Sequence, residues 1–164
     1  MSITDDNYLK ELFIDDVKGS LEKYNSETSN TTCIGIIERS IIDVVIPKGA
    51  KKIGTRAFNQ YTTLKTLSIP SSLTIINAYA FYDCTSLVLS EIPAQIKTIG
   101  EYSFRGCTSM VELVFKGTPE TIATTAFTGC TNLTTINVPW AEGAVSGAPW
   151  GATNATINYN YTGE

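Results

Sequence analysis

The sequence predicts a β-rich solenoid, in which units carrying short strands stack over a shared core. Three observations predict it. Phe58, Phe81, Phe104 and Phe127 are each 23 residues apart, and a fixed period of about 20 to 50 residues marks a chain built from stacked units. Within a unit, Leu64, Leu67 and Ile69 end with apolar residues two apart, which puts those side chains on one face of a short strand. Charged residues are only 17% of the chain while Thr fills 23 positions, a balance that suits strands and turns better than long surface helices. With 164 residues and 43% hydrophobic content, the chain is about one domain by the prior of roughly 150 residues per domain, and it can bury a real core.

The first segment, residues 1–27, carries an amphipathic helix over 4–24. Leu9, Leu12, Phe13, Val17, Leu21 and Tyr24 recur at helical spacing, acids fill the first turn, and Thr4 or Asp5 is placed to cap it. Two uses fit this helix. It either lies over the first coil as a cap, because solenoid ends expose apolar edges, or it is held away as a docking or homo-oligomerisation element. The second use draws on the polar stretch from Asn25 to Thr32, long enough to let the helix swing. Residues 28–40 are the linker into the stack.

The solenoid spans 41–138, with four full 23-residue units starting at 46. Ile53, Ile76, Ile99 and Ile122 keep the period, as do Leu64, Leu87, Met110 and Leu133, and Ile46, Ile69, Ile92, Phe115 and Val138. No insertion or deletion interrupts them. A Pro at 47, 70, 93 and 139 ends each strand at the same height, since it lacks a ladder donor and fixes φ. One unit is too small to bury its own apolar face, so neighbours must share a core. The pattern slips once. At Ser90 an aliphatic is expected, and the apolar residue stands one place earlier at Leu89, so that strand either bulges or buries a serine.

Residues 139–164 are read as a C-terminal cap that breaks the repeat. Trp140, Pro149, Trp150 and Gly151 suggest a folded turn covering the last coil with aromatic area, and Ala155, Ile157, Tyr159 and Tyr161 alternate as a closing strand.

The unit LKTLSIPSSLTIINAYAFYDC, from Leu64 to Cys84, resembles the 23-residue leucine-rich repeat of the BspA-like, Treponema-type class. The resemblance covers residues 41–138, with Ile41, Val44 and Ile46 as a partial opening unit. It implies a leucine-rich-repeat solenoid with a parallel sheet on the concave face and a mostly irregular convex face. The ending APWGATNATINYNYTG and the opening ERSIIDVVIPKGAKKIGTRAF are similar to those of short BspA-like proteins of gut bacteria and of their phages and prophages. That similarity implies a complete small protein rather than a piece of a large adhesin, with a place in phage or prophage tails. The rival expectation is an adhesin-like or adaptor protein of the bacterial surface.

Chemistry is constrained by what is missing. The chain has no His, which removes the usual general base, the commonest metal ligand and every Ser-His or Cys-His nucleophile pair. Cys84, Cys107 and Cys130 stand in register beside the Phe spine, where equivalent positions of stacked coils come within disulfide reach. Three in-register thiols leave one unpaired, so a reduced, buried ladder is the expectation. A column of three thiols without His is not a zinc site, and no glycine-rich phosphate loop is present. The formal charge of −4 arises from residues 1–27, which hold seven acids and three lysines, so no basic footprint for nucleic acid exists. No apolar run approaches the roughly 18 to 20 residues of a bilayer span, and the N-terminus is acidic where a signal peptide is basic. Cytoplasmic synthesis without membrane insertion is expected, followed by virion incorporation if the ends' similarity holds.

What remains is surface. The strand pattern aims Asp43, Val45, Thr66, Ser68, Leu89, Glu91, Glu112, Val114, Thr135 and Asn137 at the concave face. Asp43, Glu91 and Glu112 are the only acids there, and solvated strand charges explain them better than a glycosidase pair. A rigid face of small, mostly polar side chains suits a protein or a cell-surface glycan. The expected function is a non-enzymatic interaction module with no cofactor and no metal.

Overall fold

The computed structural model describes residues 2–3, 32–33, 42–46 and 48–163. The helix expected over 4–24 and the linker, apart from Thr32 and Cys33, lie outside the described residues. In chain order the strands are β1 (Ser2–Ile3), β2 (Thr32–Cys33), β3 (Asp43–Val45), β4 (Lys52–Ile53), β5 (Thr66–Ser68), β6 (Ile75–Ile76), β7 (Glu91–Ile92), β8 (Thr98–Ile99), β9 (Glu112–Phe115), β10 (Thr121–Ile122), β11 (Thr135–Asn137) and β12 (Thr156–Asn158). Every pairing among them is parallel. From Asp43↔Thr66 to Ile92↔Phe115 the paired residues are 23 apart, so the sequence period is the rise of one coil.

Two surfaces carry these strands. The concave side holds one sheet in the order β1, β3, β5 and another in the order β7, β9, β11, β12, while the opposite side holds the continuous ladder β2, β4, β6, β8, β10. The convex arm is otherwise turns, tightened by two-residue bridges. Its turns need left-handed backbone at two repeated places: Arg56, Tyr79 and Tyr102 have φ of 61°, 59° and 52°, and Gln60, Asp83, Gly106 and Gly129 have φ of 62°, 55°, 73° and 76°, each set at the 23-residue period. A Cβ at Gly106 would meet the Asp83 carboxylate, which would have to turn aside.

The core is a set of columns. Phe58, Phe81, Phe104 and Phe127 are fully buried, with successive ring centroids 5.2, 5.3 and 5.4 Å apart and interplanar angles of 10° or less. The Ile column at 53, 76, 99 and 122 and the Leu/Met column at 64, 87, 110 and 133 are buried beside it. Each coil also ties its backbone to the next, as when Phe81 N–H donates to Ser103 O at 2.7 Å and Phe104 N–H to Ala126 O at 2.9 Å. Aromatic burial and backbone pairing therefore reinforce one spacing.

The slip at Leu89 and Ser90 breaks the concave sheet. β9 and β11 pair Leu113 with Ile136, and β3 and β5 pair Val44 with Leu67; the corresponding residue between them is Ser90. A serine there would lose solvation without adding apolar burial. Instead Leu89 turns inward, 6% exposed, and Ser90 turns out to solvent. A one-residue phase change reverses the faces of a strand, so residues 89–90 leave the ladder and β5 and β7 do not pair. Leu89, expected on the concave face, is thus a core residue.

The C-terminal segment does not break the repeat where expected. Val138, Val145 and Trp150 are buried at positions 23 residues after Phe115, Ile122 and Phe127. Phe127 N–H donates to Trp150 O at 2.9 Å, and Asn154 Nδ2 donates to Thr131 O at 2.9 Å, again 23 residues away. Only beyond Asn154 does the register shorten, so that β12 pairs Thr156 with Thr135, 21 residues apart. Residues 139–158 form another coil, closed inside by Trp140 and Trp150, whose rings meet at 6.2 Å and 66°.

Candidate functional site

The concave side chains form two columns. One runs through Asp43, Thr66, Glu112 and Thr135; the other runs through Val45, Ser68, Glu91, Val114 and Asn137. The gap at residues 89–90 divides both. On the first sheet Thr66 Oγ1 donates to Asp43 Oδ1, with Ser68 exposed and Val45 half-buried beside them. On the second, Lys116 Nζ lies 3.3 Å from Glu91 Oε2, across exposed surface. Such an exposed pair contributes at most about 1 kcal/mol.

Asn137 is on this face but closed over, 2% exposed. Its Nδ2 donates to Glu112 Oε1 at 2.6 Å, and its Oδ1 accepts from Asn158 Nδ2 at 2.8 Å. The amide is satisfied from both sides, so it braces the sheet and leaves Glu91, Glu112, Val114 and Thr135 as the accessible part of that half. β12 supplies Asn158, a residue the strand pattern does not single out.

Between the sheets lies a cleft of about 380 Å³, lined by Thr66 to Ile69, Val88 to Glu91, and Pro93. Its floor follows from the broken pairing. Leu67 and Ile69 are half-buried, whereas Val44, Leu113 and Ile136, which take the place of Leu67 in other coils, and Ile46 and Ile92, which take that of Ile69, are buried. Val88 stands on the rim, 61% exposed, and Val111 follows it on the next coil at 58%. The cleft is held open by its own backbone: Val88 N–H donates to Lys65 O at 2.8 Å, and Ser90 O accepts from Val114 N–H at 2.9 Å. The segment is fastened to β5's coil at one end and to β9 at the other. Of the ten residues expected on the concave face, Thr66, Ser68, Glu91 and, from beneath, Leu89 meet at this cleft.

The thiols belong to the scaffold. Cys84, Cys107 and Cys130 are free and buried, and each Sγ donates to a spine carbonyl of the preceding coil: Phe58 O at 2.9 Å, Phe81 O at 3.2 Å and Phe104 O at 3.0 Å. Burial pushes Cys84 and Cys130 from 9.0 up to about 12 and Cys107 well upward, so the reactive thiolate is suppressed. An unfolded chain releases these protons near pH 9 while the folded chain keeps them to about pH 12, so stability present below pH 9 is lost as pH rises through that window. Each thiol contributes a slope of at most about 1.4 kcal/mol per pH unit. Thermal midpoints recorded from about pH 7 to about pH 11 should fall above about pH 9, and less steeply in Cys84→Ala/Cys130→Ala than in the wild type.

Among the described residues, no group of three or more His, Cys, Asp or Glu is placed to hold a metal ion. No helix among them is long and apolar enough to cross a membrane.

A parallel β-solenoid with an interrupted concave sheet defines a repeat scaffold that presents surface. Residues 37–143 match the family described as the BspA type leucine-rich repeat region. The chain belongs to that family. Among solved structures it is similar to a leucine-rich repeat protein from Eubacterium ventriosum, with 22% identity, a TM-score of 0.56, and coverage of 70% of this chain and 32% of that one. It is also similar to a leucine-rich repeat protein from T. pallidum, with 19% identity, a TM-score of 0.55, and coverage of 88% and 81%. The chain thus spans about a third of the E. ventriosum protein and most of the T. pallidum one. No curated protein matches it.

Proposed function

We propose that this protein is a non-enzymatic interaction module that seats a protein partner on its concave face, with the cleft between the two sheets as the anchor point. The observation that carries the reading is the broken sheet, which sets half-buried Leu67 and Ile69 and exposed Val88 beside polar Thr66, Ser68 and Glu91. An apolar centre with a polar rim is the anatomy of a protein interface, and a large partner side chain fits a partly desolvated pocket better than a flat sheet. The stacked frame is already ordered, so binding costs little in backbone entropy. A cell-surface glycan is the second reading, favoured by the hydroxyls and carboxylates of Thr66, Ser68, Glu112 and Thr135.

The similarity of both chain ends to short BspA-like proteins of gut phages and prophages supports a place in phage or prophage tails. The alternative is an adhesin-like or adaptor role at the bacterial surface. Detection in purified virions supports the first; detection only in uninfected cells overturns it.

The cleft has a direct test. In Leu89→Ser/Ser90→Leu the alternation is restored, so the introduced leucine takes the core place that Leu113 and Ile136 hold in the neighbouring strands, and β5 can pair with β7. The expected result is a higher thermal midpoint, slowed amide exchange at residues 89–91, and at least a roughly tenfold loss of affinity, about 1.4 kcal/mol, for the strongest binder found on peptide and glycan arrays. Unchanged affinity in a variant whose amides have become protected would place the binding surface elsewhere.

A further inference from the structure

The C-terminal end of the stack is almost uncharged: from Pro139 to Gly163 the only charged side chain is Glu142. β12 is the last strand of its sheet and, among the described residues, pairs with β11 alone. Thr156 N–H donates to Thr134 O at 2.9 Å and Asn158 O accepts from Val138 N–H at 2.9 Å, so both residues turn their backbone groups inward. Strand alternation then turns the N–H and C=O of Ile157 outward. The side chains repeat the message. Ile157 is half-buried where its ladder partner Ile136 is fully buried, and Ala155 and Tyr159 also pack on the core while partly exposed.

Exposed strand edges are ordinarily blunted by lysine, proline or a bulge, because their free backbone groups invite another strand. The stretch ATNATINYNYT, from Ala152 to Thr162, has neither Lys nor Pro nor any charge. Of those devices it has none; its one restraint on pairing is that β12 is three residues long.

We infer that β12 is an assembly edge on which a second copy of this chain docks, antiparallel, about a two-fold axis through Ile157. In that arrangement the Ile157 residues of the two copies exchange both N–H···O bonds, and their half-buried side chains shield one another. Charge selects this closure over head-to-tail growth. The opposite end of the chain, residues 1–27, holds seven acids against three lysines, and residues 139–163 carry no base to complement them. Tail-to-tail contact joins two nearly neutral surfaces.

Sedimentation of the full chain over a concentration series tests the inference. The wild type is expected at twice its 17.8 kDa mass. Ile157→Pro removes the outward N–H without removing a bond to β11, and it should sediment as a monomer with an unchanged circular dichroism spectrum. Ile157→Ala keeps the N–H and should dimerise more weakly. A monomeric wild type, open-ended larger species, or a dimer that persists in Ile157→Pro would overturn the proposal, the last by moving association to another surface such as the 4–24 segment. Should Ile157→Pro fail to fold, hydrogen exchange on the wild type decides: the Ile157 amide should slow by at least tenfold between dilute and concentrated samples, and equal rates at both would refute the pairing.

Discussion

Phe104→Ala is expected to lower stability by about 3 to 5 kcal/mol, the range for emptying a fully buried aromatic site. Phe104 has no solvent exposure and lies between the rings of Phe81, at 5.3 Å, and Phe127, at 5.4 Å. The cavity cannot collapse easily. On either side of it the backbone is held at coil spacing by the bonds from Phe81 N–H to Ser103 O and from Phe104 N–H to Ala126 O. In a stack where each unit contacts only its neighbours, weakening a middle unit uncouples the halves. The thermal midpoint should fall by roughly 6 to 20 °C for a chain of this size, and hydrogen exchange should quicken on both sides of residue 104. A midpoint within about 2 °C of the wild type would refute the spine as the main source of cohesion.

Trp150→Ala should cost a similar local free energy, about 3 to 5 kcal/mol, with a different signature. Trp150 is fully buried, its ring packs at 6.1 Å from Phe115 and 6.2 Å from Trp140, and its Nε1 donates to Ser146 O at 2.8 Å. Its carbonyl also accepts the N–H of Phe127. Loss of the side chain removes the centre of the last coil and of nothing beyond it. The expected outcome is fraying: amides from Asn154 to Tyr161 lose protection while those of the Ile column from 53 to 99 keep theirs. If exchange quickened uniformly along the stack, the last coil would be part of one cooperative unit and not an added layer.

Repetition makes most of the frame legible in the sequence. Ile53, Phe58, Leu64 and Cys84 have counterparts 23 residues on, and a residue type recurring at one place in each coil reports its environment directly. The same arithmetic applied to Val145 and Trp150 extends the stack by a coil. What hides that coil is local: Pro139, Trp140 and the run of Gly and Ala around them look like a turn, and Trp stands where Phe stood. Asn137 differs from its expected open position for another reason. Its accessibility depends on Glu112 and Asn158, one from an earlier strand and one from a strand whose register has shortened by two residues.

The concave face shows where local information stops. The phase slip at Leu89 and Ser90 allows two outcomes, a bulge or a buried serine, and neither is settled by the strand itself. The neighbours settle it. The Phe spine and the ladder from β4 to β10 hold every coil at one spacing, so the misfit cannot spread along the stack and is confined to the front, where backbone can leave the sheet and be solvated. Period, core columns and strand ends follow from side-chain chemistry repeated along the chain. The cleft follows from competition between coils, since burying Leu89 outweighs one strand pairing only once the rest of the solenoid is in place.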